Sequence, residues 1–317
     1  MSTTANSTHW VVFAVLVVAM LAADLGVFRR AGAAKEMSLR EALFRSVCWV
    51  GLAVLFNAWI YVARGEQSGL EFTAGYLLEE ALSVDNLFVF VVIFSAFRVP
   101  PAHQHRVLFW GIIGAVLLRG VFIGVGTALV QRFHWVIIGF GVLLIYTAWK
   151  LFRGGGDEDE EFKPDDNPAF RLFRRFVPSV PDFHGSHFMV KKDGRSFATP
   201  LLAVLVLVET SDVLFAMDSI PAVFGVSKDP FIVYTSNIFA ILGLRSFYFL
   251  LAGVVHKFAY LKIGLAVILA FVGGKMVAHH WVHISTGTSL GVIAFVLAAT
   301  ILISWLFPPR NSEATGE

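Results

Sequence analysis

Charge is scarce in this chain. Asp, Glu, Lys and Arg make up 15% of its 317 residues, against roughly 25% in a soluble domain. The shortfall runs along the whole sequence and 57% of residues are hydrophobic, which excludes an ordinary water-soluble domain. Cysteine is nearly missing as well. Cys48 stands alone in an apolar run, so an intramolecular disulfide and a thiolate metal cluster are both excluded. No Gly-rich phosphate cradle is present, which argues against ATP coupling within the chain. Nor do the apolar spans hold a GxGD element or a nucleophile beside a base. An intramembrane hydrolase using Asp212 and Asp218 to activate water is therefore disfavoured, and no enzyme activity is expected.

What is present in abundance is long apolar sequence. Windows able to span a bilayer run over 10–28, 42–62, 73–97, 107–130, 133–151, 200–224, 231–253, 258–277 and 285–307. Each meets the requirement of about 20 residues. The reading is an all-α polytopic bundle of nine transmembrane helices. The first window is not a cleaved signal, since Arg29 and Arg30 follow it and no basic region precedes it. Alternate loops carry Arg29, Arg30, Lys35 and Arg40, then Arg98 and Arg106, then eight Lys and Arg from Arg153 to Arg195, then Lys257, Lys262 and Arg310. The opposite loops carry only Arg64, Arg132 and Lys228. The positive-inside rule then puts the N-terminus outside and the C-terminus in the cytoplasm.

The chain divides into two N-terminal helices (1–72), a three-helix unit (73–152), a cytoplasmic linker (153–199), a second three-helix unit (200–280) and a last helix with its tail (281–317). The linker opens on the acidic run GGGDEDEEF, a solvated flexible segment or a weak cation collector. FRLFRRFV (170–177) then spaces phenylalanines for a short helix on the anionic inner leaflet. Asp193-Gly194 predicts a hairpin turn. Around this linker SVDNLFV (83–89) resembles TSDVLFA (210–216), Arg119 matches Arg245, and Lys150 matches Lys275. Copies of three spans cross the membrane in opposite senses, an inverted repeat with its site at the interface.

Two of these spans carry acid: EEALSVDN (79–86) and ETSDVLFAMDSIP (209–221). An ionised group at the bilayer centre costs about 2.5–3.5 kcal/mol even on the lenient insertion scale. Glu79, Ser83 and Asn86 share one helix face, with Asp85 flanking it and Glu80 turned away. Glu209 and Asp212 adjoin on the second helix. Asp218 falls opposite them unless Pro221 breaks the helix, swings it inward and frees the Met217 carbonyl. Arg119, Arg245 and Lys275 are the candidate charge-balancing residues, yet six carboxylates outnumber three bases. Buried surplus charge calls for protons, water or cations. Ligands of carboxylate, amide, hydroxyl and backbone oxygen suit Mg²⁺, Ca²⁺ or Mn²⁺. The Met217 thioether either tilts this toward Mn²⁺ or merely fills space. His279, His280 and His283 are a capture site or ordinary interfacial histidines, and His184 and His187 a weaker version of the same choice.

In EEALSVDNLFVF, VETSDVLFAMDSIPAVF, SNIFAILGLRSFYFLL and HFMVKKDGRSFATPLL, with Asn57 in LFNAW and Asp24 in the first span, the sequence resembles the TerC family of bacterial integral membrane proteins. The likeness covers almost the whole chain and is nearest to alkaline-induced members. It implies a nine-span inner-membrane exporter of manganese, with links to metal homeostasis and tellurite resistance. It puts the family's acids on Glu79, Asp85, Glu209, Asp212 and Asp218. The expectation is a metal site of Glu79, Asp85, Asn86, Glu209, Asp212 and Asp218, with Asp24, Glu80 and Met217 as accessories. The expected partners are a divalent ion as cargo and membrane lipid, with no resident cofactor and no nucleic acid. Transport of Ca²⁺ or protons, or a scaffold or sensor that moves nothing, are the competing readings.

Overall fold

The computed structural model describes residues 6–24, 39–133, 135–153, 164, 167–192, 194–251, 260–282 and 284–306, without the side chains of Ala23, Asp24, Asp85, Arg245, Leu251 and His280. Ten α-helices and one hairpin follow in order: α1 (Ser7–Asp24), α2 (Leu39–Arg64), α3 (Glu66–Ala96), α4 (Pro101–Arg132), α5 (Trp135–Arg153), α6 (Pro168–Phe176), β1 (Met189–Lys192), β2 (Arg195–Ala198), α7 (Pro200–Phe224), α8 (Pro230–Leu251), α9 (Leu261–Val277) and α10 (Thr286–Leu306). Each of the nine apolar windows falls on one of these helices, and α6 falls on the amphipathic stretch of the linker. Five helices, α2, α4, α5, α7 and α10, are long and apolar enough to cross a membrane by length and composition.

Local chemistry sets the boundaries. Proline opens α4, α6, α7 and α8, where its missing N–H costs nothing. Asn167 caps α6 by accepting from the amides of Ala169 (2.9 Å) and Phe170 (3.1 Å). Asp229 caps α8 through Phe231 N (2.9 Å). Gly65, at φ +90°, makes the one-residue break between α2 and α3 in a conformation other residues rarely adopt. The hairpin pairs Met189 with Ala198 and Lys192 with Arg195, and Gly194 at φ +75° supplies the turn. Two helices outrun their apolar windows: α3 begins at Glu66 rather than 73, and α4 at Pro101 rather than 107. Polar residues end a hydropathy window without ending the backbone ladder.

Pro221 does not break α7, which runs unbroken to Phe224. A proline in the last turn removes a single ladder bond, and the Gly225 amide still closes onto the Pro221 carbonyl (3.1 Å). The core forms two clusters. One joins α2, α3, α4, α7 and α8 with Phe13 and Met20 of α1. The other joins α3, α4, α5, α7 and α9 with Ile293 of α10. Large apolar side chains cover the periphery, Val62 at 89% and Trp305 at 79% exposure among them. Water does not tolerate such a surface and lipid does.

The helices are flush at one end and stepped at the other. Phe140 stacks on Phe224 (6.0 Å) and Thr147 bonds Asp218, so α5 runs antiparallel to α7. Its last residue, Arg153, then comes level with Asp212, while α7 continues to Pro200, about 18 Å further at 1.5 Å per residue. Lys262, at the start of α9, lies over the ring of Phe88 (5.2 Å) while α3 continues to Ala96. At the α5–α9 crossing a Cβ on Gly273 would stand 2.7 Å from the Gly141 carbonyl oxygen. Backbone cannot yield there as a side chain can. Gly273→Ala is expected to destabilise the protein by about 1–3 kcal/mol, read as a lowered melting temperature in detergent, whereas Gly274→Ala, with open space at its Cβ, leaves it unchanged.

Candidate functional site

Glu79 is fully enclosed, and both of its oxygens are taken. Oε2 accepts from Nη1 of Arg119 on α4, and Oε1 from Nδ2 of Asn237 on α8 at 2.6 Å. The same Arg119 nitrogen donates to Ser219 Oγ on α7 at 3.2 Å. One ion pair with two polar partners thus joins α3, α4, α7 and α8. Arg119 is 1% exposed, so neither charge has water to fall back on. The Arg119 charge also acts on Asp212.

Asp212 is 5% exposed and lines a cavity of about 10 Å³ with Phe90, Leu108, Gly111, Ile112, Ile241 and Leu244, the room of about one water. Glu209, one turn earlier and half-buried, feels the charge of Asp212. Its carboxylate lies against Gly114 of α4, where any Cβ would collide with it. On α3, Ser83 and Asn86 are buried on the face of Glu79, and neither Ser83 Oγ nor Asn86 Nδ2 has a hydrogen-bond partner among the described residues. Asn86 stands one turn from Phe90 and so beside the Asp212 cavity.

The remaining acids stand apart. Asp218 accepts from Thr147 Oγ1 of α5 (3.2 Å) and feels Lys150 rather than joining Glu209 and Asp212. With α7 unbroken, nothing swings it inward, and Met217 is 51% exposed. Glu80 is half-buried against Tyr76, with one oxygen enclosed and unpaired. Lys275 lies at the flush end, donating to Ser289 Oγ (2.8 Å) and acting on Glu71. The side chains of Asp24, Asp85, Arg245 and His280, and the whole of His283, lie outside the described residues. His279 is exposed. The rings of His184 and His187 are held to the carbonyls of Asp182 and His184 (3.0 and 3.1 Å). Among the described residues no three His, Cys, Asp or Glu side chains converge as a metal would need.

Sequence reasoning missed Asn237, Ser219, Thr147, Gly114 and Glu71. Asn237 carried a signal, an amide in the apolar run SNIFAIL, where burial demands a partner as it does for a carboxylate. Glu71 lay before the assumed start of its span. The others gave none, since a serine, a threonine or a glycine in an apolar helix has many uses.

A mostly helical bundle with a lipid-facing apolar surface and an ion pair sealed in its interior defines an integral, multi-pass membrane protein. The chain belongs to the integral membrane protein TerC family, whose match covers residues 64–312. It is 54% identical to an uncharacterized membrane protein of Myxococcus xanthus, STKORF319, over 93% of this chain and 91% of that one. It is 45% identical to the Escherichia coli K12 protein Alx over the full length of both, and 44% identical to Alx of Salmonella typhi over 99% of both. The names of the two Alx proteins carry the proposed role of membrane-bound redox modulator. No solved structure matches the chain.

Removing one member of the sealed pair leaves the other charged and unanswered. Arg119→Met is expected to cost about 3–5 kcal/mol. Arg119→Met with Glu79→Gln should recover most of that loss, as read by thermal unfolding of the single and double variants in one detergent.

Proposed function

We propose that this protein is a secondary exporter carrying Mn²⁺ out of the cytoplasm, with protons returning in exchange. The observation that carries the reading is unanswered acid. Of the acids described in the two motifs, only Glu79 forms a salt bridge among the described residues. Glu209 and Asp212 sit one turn apart with no base bonded to either among the described residues. Asn86 and Ser83 face the same interior with unspent polar atoms. A hard divalent cation answers such a set of oxygens, and carboxylates crowded together take up protons when their cation leaves. The proposed ligands are Asp85, Asn86, Glu209 and Asp212. Glu79 is released to the ion only when Arg119 moves.

Alternating access by an inverted repeat is part of this proposal, and the packing supports it. Each helix of α3–α5 packs on its counterpart in α7–α9: α3 on α7, α4 on α8, α5 on α9. The cross pairs α3–α8 and α4–α7 occur together, as a two-fold relation requires. Nine spans with the C-terminus in the cytoplasm complete the reading, on the distribution of Lys and Arg. The Asp212 cavity has no room for a hydrated cation, so loading requires the helices to part.

The redox role in the relatives' names fits without thiol chemistry of the chain's own. A dithiol cycle needs two cysteines and the chain has one. Moving a redox-active ion alters the redox state of a compartment by itself. Ca²⁺ is the second reading, because Met217, the softest donor nearby, turns outward.

The purified chain in liposomes should move radiolabelled Mn²⁺ unaided, and Asp85→Asn or Asp212→Asn should slow it by more than about tenfold while inserting normally. A scaffold moves no metal in that assay. Competition by Ca²⁺ at equal concentration selects the second reading.

A further inference from the structure

The short helix α6 presents three surfaces. Phe170 and Phe173 fall together on the helical wheel and pack against Phe97, just past the end of α3, and the first turn of α7. On the adjoining arc Leu172 and Phe176 are 59% and 71% exposed. Arg171, Arg174 and Arg175 hold the remaining arc, all exposed. The bundle therefore covers only half of the apolar face. Beside it the hairpin exposes Lys191, Lys192 and Arg195. Together α6 and its two neighbouring strands carry six cations, against one acid, Asp193, in the sequence between the strands. Between α6, the segment 179–180 that follows it and the start of α7 lies a cavity of about 290 Å³, with Phe97, Phe170 and Phe173 in its wall, and Arg174, Ser179 and Thr199 as polar lining.

We propose that this platform is a binding site for anionic phospholipid. The arginine arc takes the headgroup phosphate. The bare arc of Leu172 and Phe176, with the phenylalanine-walled cavity, takes the apolar part. Two features on the page select a lipid over a soluble phosphate. A free anion satisfies the arginines and leaves both apolar side chains in water. The platform is also built onto the ends of helices of a membrane protein, so a bilayer is its nearest neighbour. Like charge from the hairpin adds attraction to an anionic surface without adding a partner for any other chemistry. The site makes no use of the interior acids and stands independently of the exporter reading.

The test uses the full chain, delipidated in a mild non-ionic detergent and then offered phosphatidylglycerol or phosphatidylcholine, with retained lipid counted by native mass spectrometry. Each basic residue near an anionic surface changes partitioning about fivefold. Arg171→Gln, Arg174→Gln and Arg175→Gln together should therefore lower phosphatidylglycerol retention by more than about tenfold and leave phosphatidylcholine unmoved. A second readout places a single cysteine at position 176 in a Cys48→Ser chain, labelled with an environment-sensitive dye. Its emission should shift to the blue in phosphatidylglycerol vesicles and stay unshifted in phosphatidylcholine vesicles. Equal retention of the two lipids overturns the proposal. So does full retention in the triple variant, which would assign the arginines to the acidic run at 157–161. Displacement of the lipid by inorganic phosphate at millimolar concentration would overturn it in favour of a soluble anion.

Discussion

A charge inside a membrane protein must be answered from inside the protein, and the bundle is organised around a fully enclosed ion pair. Glu79 and Arg119 reach each other from α3 and α4, with Asn237 of α8 donating to Glu79 and Ser219 of α7 accepting from Arg119. The arrangement fixes the rotation of four helices about their own axes. Turning any of them by one residue, about 100°, would swing its polar group into apolar side chains. Hydrophobic packing alone does not specify rotation so sharply, because one face of leucine and valine resembles another. In lipid, where apolar burial gives no net drive between helices, the sealed polar contact supplies what shape leaves open.

Completion at Glu79 throws the incompleteness at Asp212 into relief. The two acids lie within the field of the same arginine, one bonded to it and one not. Asp212 instead faces seven or more apolar side chains around a space for a single water. Glu209 keeps its place because Gly114 has no side chain to occupy it. Interiors with an acid so placed hold either a proton or a cation, and in the proposed exporter the site alternates between them without rebuilding the fold. The sealed pair provides rigidity; the open pair provides chemistry. The sealed pair draws on α3, α4, α7 and α8 and the open pair on α7 alone, so α7 carries both.

Much of this was legible in the residues. Each of the nine apolar windows met a helix among the described residues, the spacing of phenylalanines located α6, and Asp193-Gly194 located the hairpin. These features are local, so sequence carries them. The pairing of the acids was not legible, because which carboxylate meets Arg119 depends on the rotation and height of separate helices. Pro221 misled for a different reason: its effect depends on how much helix follows it, and only one turn does. Lys275 shares its motif position with Lys150 but lies by Glu71, an acid outside the apolar window and therefore outside the count.

The two ends of the bundle are not equivalent, and the difference bears on which door of the proposed exporter is shut. At the flush end polar bonds cross between elements: Arg64 of α2 to Asp229 (2.6 Å), Gln67 of α3 to Thr286 of α10 (2.6 Å), Ser227 to Glu71, and Lys275 of α9 to Ser289 of α10. These bonds tie α2, α3, α9 and α10 to one another or to the turn between α7 and α8. At the stepped end α5 and α9 stop level with the acids, and α3 and α7 continue without them. A path to Glu209 from that side has fewer helices to part than a path from the other. On the orientation proposed from the Lys and Arg distribution the stepped end is the cytoplasmic one, and the proposed exporter is then closed outward and nearest to loading from within. Opening the far side in the proposed rocking motion then means breaking at least the Ser227–Glu71 bond, which joins α3 of the first three-helix unit to the α7–α8 turn of the second.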